Sequence, residues 1–110
     1  MTYNKYHAKK TTVDGITFDS KKEADRFFQL KLLEKAKEIT GLQLQVKFLI
    51  VPKKGNYKRE RFYITDFVYN EKGKQVIEDV KSPITKKNPV YSLKKAIVLA
   101  LYPEYEFREF

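Results

Sequence analysis

A chain of 110 residues, 42% hydrophobic and 15% aromatic, is sized for one domain with a modest core, and its aromatic content excludes a disordered chain. It contains no cysteine, which excludes a disulfide framework and a thiolate metal site, and no apolar run approaches the roughly 18 to 20 residues of a membrane span. Twenty-three Lys and Arg against fourteen Asp and Glu leave a formal charge of +9, which attracts polyanions, nucleic acid foremost.

The start "MTYNKYHAKK" is polar and basic, lacks the apolar stretch of a signal peptide, and is expected to form a loosely ordered arm over residues 1–10. A cytoplasmic protein without membrane contact is the resulting expectation. His7, the lone histidine, lies in this arm and is read as a bystander rather than a ligand.

In "TTVDGITF", Asp14-Gly15 between β-prone runs predicts a small hairpin with a type I′ turn. Ser20 and Glu23 then form a capping-box pattern ahead of Ala24, Phe27, Phe28, Leu32 and Leu33, which predicts a helix over 20–38, with Gly41 as its breaker. "LQLQVKFLIV" alternates, with Leu42, Leu44, Val46, Phe48 and Ile50 on one face, and reads as one half-buried strand ended by Pro52. A basic turn, "PKKGNYKRER", leads into a second strand, "RFYITDFVY", and "NEKG" turns the chain into a third, "KQVIEDVK". "SPITKKNP" reads as a loop. Asn88 as cap and Pro89 at the first helical position open a helix over 89–102 carrying Leu93, Ile97, Val98 and Leu101, and "YEFREF" closes as a strand. Small hairpin, helix, three strands, helix, strand predicts one α/β (α+β) domain over 1–110, with a mixed central sheet of about four strands in the order αβββαβ flanked by two helices.

The second and third strands carry an unusual number of acids. If Asn70 to Gly73 form the loop, Tyr69 faces Lys74 and Asp66 faces Ile77. Alternation then places Asp66, Asp79 and Lys81 on one face with Ile64, Val68 and Ile77, and sends Glu78 the other way, to solvent or a lysine. A two-residue loop keeps this parity, whereas a bulge or an odd loop reverses it. Two carboxylates so placed can converge on a hard divalent cation such as Mg²⁺, and Lys81 beside them can position water or offset charge on a phosphoryl group. The plain alternative is an ion pair between Asp79 and Lys81 on an exposed strand. Glu23 divides evenly between capping the helix and reaching the same metal from the helix edge.

Glu23, Asp66 and Asp79-Val80-Lys81, in the order helix, strand, strand, resemble the PD-(D/E)XK nuclease superfamily. More narrowly, "KYHAKKTTVDGITFDSKKEADRFFQL" with "ITDF" and "EDVKSP" looks like the small phage-associated family known as domain of unknown function 1064. The resemblance spans nearly the whole chain and implies a restriction-endonuclease-like core. It also implies Asp66 and Asp79 as metal-binding acids, Glu23 as an added helix acid, Lys81 as the catalytic lysine, and Mg²⁺ or Mn²⁺ as cofactor. The superfamily proline before the first acid is Thr65 here. Related small phage proteins resemble Holliday-junction resolvases and other structure-specific endonucleases, many of which are homodimers. The implied activity is endodeoxyribonucleolytic hydrolysis of DNA, in a phage-encoded or prophage protein of a bacterial host.

Phosphate contacts are expected from Lys86, Lys87, Lys94 and Lys95, which follow the acid cluster in sequence, then from Lys58, Arg59 and Arg61, Lys53-Lys54 and Lys9-Lys10. Tyr57, Phe62, Tyr63 and Tyr69 are read as packing residues before stacking ones. Two other classes remain alongside the nuclease: a catalytically inactive nucleic-acid-binding accessory protein of the same fold, and a protein-binding phage regulator.

Overall fold

The computed structural model describes residues 10–56 and 58–110. Residues 1–9, which include His7 and Lys9, and Tyr57 lie outside the described residues.

The small hairpin forms as expected from β1 (Thr11–Val13) and β2 (Ile16–Phe18), with Asp14 at φ 51° and Gly15 at φ 78°, the left-handed pair a type I′ turn demands. Helix α1 (Lys21–Lys35) begins as its sequence dictates, with the Glu23 N–H donating to Ser20 Oγ at 3.1 Å. It ends earlier than expected. Lys37, at φ 63°, takes the left-handed position, its N–H bonding Glu34 O and that of Glu38 bonding Leu33 O, which makes a Schellman stop. Gly41 instead lies inside the next strand.

Each of the two long strands expected from the alternation is in fact two. Strand β3 (Thr40–Leu44) and β4 (Lys47–Val51) are separated by Gln45 at φ 52°, and β5 (Arg61–Ile64) and β6 (Phe67–Glu71) by Thr65 and Asp66. The breaks face each other. Gln45 N–H bonds Asp66 O at 3.0 Å and Thr65 N–H bonds Val46 O at 2.9 Å, so the paired chains turn one corner together. Beyond it β4 and β5 form a separate two-stranded ribbon, while β3 and β6 join β7 (Lys74–Asp79) and the final β8 (Tyr105–Glu109) in a four-stranded sheet. Its order is β3-β6-β7-β8, antiparallel except for the parallel β7/β8 pair, which makes it mixed.

Lys72 and Gly73, both at positive φ, form a two-residue turn between β6 and β7, so Glu71 rather than Tyr69 faces Lys74. The register moves by two and the alternation survives. In the expected loop the segment Pro83–Lys86 is a short helix, α2, and α3 (Pro89–Leu101) follows with Asn88 Oδ1 accepting from Val90 N–H at 2.8 Å.

The sheet is covered on both faces. Phe18, Ala24, Phe27, Leu30 and Ile39 pack with Phe67, Tyr69 and Val76 on the α1 side. Phe48 and Ile50 of the ribbon, with Tyr91 and Val98 of α3, pack on Val68 and Ile77 on the other. Of the apolar residues assigned to the two helices from sequence, Phe28, Leu32, Leu93 and Leu101 are exposed. Among the described residues no helix is long and apolar enough to cross a membrane.

Candidate functional site

The corner, the end of β7 and the first turn of α1 meet at one end of the sheet. Asp79 ends β7 with its side chain fully buried on the α3 face. Its Oδ1 accepts the Asp66 N–H at 2.8 Å and its Oδ2 accepts the Tyr63 hydroxyl. Asp66 answers across the same gap, with Oδ2 accepting the Val80 N–H at 2.8 Å. Each acid is thereby held by the backbone of the other's segment. This clasp exists only because the corner frees the Asp66 amide from the sheet ladder.

Glu23 reaches the cluster from α1, 7% exposed. Burial first, then the charges of Asp66 and Asp19 and a hydrogen bond shared with Asp66, push its carboxyl up to about 7, against a lowering by Lys81. Asp66 is raised chiefly by burial, offset by the Val80 N–H and Lys81. Asp79 is raised by burial too, offset by the Tyr63 hydroxyl, Lys81 and the Asp66 N–H. Lys81 follows just past the end of β7, its N–H bonding Phe110 O at 2.8 Å and its ammonium 5.5 Å from the Tyr91 ring centre. The fold thus gathers Glu23, Asp66, Asp79 and Lys81 from three elements into one electrostatic neighbourhood.

Within it the acids are not equivalent. Both oxygens of Asp79 are engaged internally, and among the described residues no three acidic or histidine side chains stand in a metal-holding arrangement. Glu23 and Asp66 form the crowded pair. The donor chemistry suits a hard divalent cation, because all three groups offer oxygen and their mutual repulsion is relieved by positive charge.

Glu78 corrects its sequence assignment. It is fully buried on the α1 face, where Arg26 grips it with Nε to Oε2 at 2.6 Å and Nη2 to Oε1 at 2.9 Å, and the Tyr69 hydroxyl adds a bond at 2.6 Å. Alternation had sent it away from Asp79 correctly, but that face carries α1 instead of solvent. Tyr63, Tyr91 and Glu109 were also missed from sequence. Tyr91 bonds Glu109 at 2.6 Å, and Glu109 in turn holds Lys95 at 2.8 Å, so a polar chain extends from behind Asp79 to the surface.

The expected phosphate contacts are distributed unevenly. Lys86, Lys87, Lys94, Lys58 and Arg59 are exposed, whereas Lys95 is half-buried against Glu109 and over Phe107. Tyr63 and Tyr69 are core residues, and Phe62 is 41% exposed beneath Lys47.

The fold and its cluster define a small mixed α+β domain with acids and a lysine gathered at one end of its sheet. A family profile described as "Protein of unknown function (DUF1064)" matches residues 3–109, and the chain belongs to that family. No curated protein and no solved structure matches it.

Proposed function

We propose that the protein is a metal-dependent DNA endonuclease of the PD-(D/E)XK type, phage-linked and acting on branched DNA. The observation that carries this reading is the junction of Glu23, Asp66, Asp79 and Lys81 at one end of the sheet, with all three carboxyls pushed upward. Carboxylates crowded at some expense to the fold are a mark of functional sites.

Glu23, Asp66 and Asp79 are the residues that would hold Mg²⁺ or Mn²⁺. A divalent cation there would supply charge neutralisation for the attacked phosphate and acidify water. Lys81 places its ammonium at the rim, where it orients the phosphate and offsets charge developing on its free oxygens. The crowding that raises the Glu23 carboxyl, burial and then the Asp66 charge, is what a bound cation would relieve. Tyr63 is a positioning residue that fixes the Asp79 carboxyl.

The test is a panel of duplex, flap, single-stranded and four-way DNA with and without Mn²⁺. Cleavage is expected only with metal, and Lys81→Ala is expected to abolish it while DNA binding persists. Binding without cleavage of any substrate would instead favour the inactive accessory protein, the reading supported by the full internal engagement of Asp79.

A further inference from the structure

An open pocket of about 350 Å³ is lined by Lys21, Lys22, Asp25, Arg26, Gln29 and Phe110, and Lys22 immediately precedes Glu23 of the acid cluster. None of these residues except Arg26 is used by the core. Arg26 is held by Glu78, and its guanidinium carbon lies over the Phe110 ring, 3.8 Å from the centre. The Arg26–Phe110 pair therefore forms one wall. Arg26 Nη1 occupies the Gln29 carbonyl at 3.0 Å, which leaves the Gln29 amide hydrogens for another acceptor. Lys22 donates to the neutral Lys81 carbonyl at 3.1 Å and has no acid at ion-pair distance among the described residues, and Lys21 meets Asp25 in an exposed pair at 3.9 Å that holds it weakly.

An aromatic wall, an amide donor and surplus positive charge in a space of this size match one chemistry, a nucleotide with a free base. We propose that this cavity binds an unpaired nucleotide next to the phosphate at the acid cluster, its base against the Phe110–Arg26 stack and its phosphate on Lys22 and Lys21. The ligand class follows from the DNA reading above, and Lys22, bonded to the carbonyl of Lys81, joins the two sites. A base already stacked in duplex cannot enter, so the cavity selects single strands and frayed or branched ends.

The test is fluorescence anisotropy of the full chain in EDTA, with labelled short oligothymidylate and a blunt duplex of matching length. Phe110→Ala is expected to weaken single-strand binding at least about fivefold and to change duplex binding less than twofold, while Phe110→Tyr retains the single-strand affinity. Lys22→Ala, at an exposed position, is expected to lower the single-strand slope of log affinity against log salt by about 0.7 with the thermal midpoint checked alongside. Equal loss on both ligands, unchanged single-strand affinity, or no single-strand binding by the wild type overturns the proposal. Selective loss in Phe110→Ala with no cleavage in the Mn²⁺ panel keeps the cavity and removes the nuclease. Cleavage with unaltered binding by Phe110→Ala does the reverse.

Discussion

Glu78 and Asp79 are adjacent and both fully buried, and strand alternation sends them to opposite layers with different partners. Glu78 meets a guanidinium that closes on it from two atoms, while Asp79 meets a hydroxyl and one amide. Arg26→Ala leaves Glu78 buried and without its cation, a loss of about 3 to 5 kcal/mol, and urea denaturation should show it. Replacing both partners with methionine should recover most of that loss, since the desolvated charge is then gone. Glu23 gives a pH signature. Its folded-state value of about 7 lies above the ordinary 4.5, so the folded protein holds a proton that the unfolded chain has already released between those limits. Stability in EDTA therefore falls as pH rises from about 4.5 to 7 and levels off above, by up to about 3 kcal/mol for this group. Glu23→Gln should flatten much of that decline in urea midpoints taken at several pH values; an unchanged slope would show that Glu23 titrates normally.

At the scale of elements, the end of α1 and the corner show how local chemistry sets the frame of the site. Lys37 holds a left-handed position that glycine takes without steric penalty, so Lys37→Gly is expected to stabilise the fold by roughly 0.5 to 1 kcal/mol, read as a rise in thermal midpoint. The start of α1 was legible because a cap and its partner lie three residues apart. Its stop was not, because lysine carries no turn signal and Gly41, which does, was spent inside β3. The corner escaped notice for a similar reason: alternation continues through Gln45 and Thr65, and neither residue marks a break. A proline could not replace Thr65 without loss, because the Thr65 N–H bonds Val46 O and a proline has none to give. The odd-even alternation along β6 and β7 survived a two-residue register error, because side-chain direction on paired strands depends only on odd and even. The burial of Glu78 could not be read, since Arg26 lies 52 residues away and only the packing of α1 brings it in.

Across the whole molecule the +9 charge is not equally available to a polyanion. Some cations serve the fold: Arg26 holds Glu78, Arg108 spans Glu71 and Glu106, and Lys95 is half-buried on Glu109. Lys86, Lys87 and Lys94 stay exposed, follow the acid cluster in the chain, and have no acid partner at ion-pair distance among the described residues. DNA binding driven by counterion release should separate these groups. On duplex DNA, each of Lys86→Ala, Lys87→Ala and Lys94→Ala is expected to lower the slope of log affinity against log salt by up to about 0.9, in proportion to its share of phosphate contact. Lys95→Ala should leave that slope unchanged, because the Lys95 ammonium is held by Glu109 and not by a phosphate, and it should lower thermal stability instead. A full unit of slope lost with Lys95 and none with its three neighbours would place the DNA track on another face of the protein.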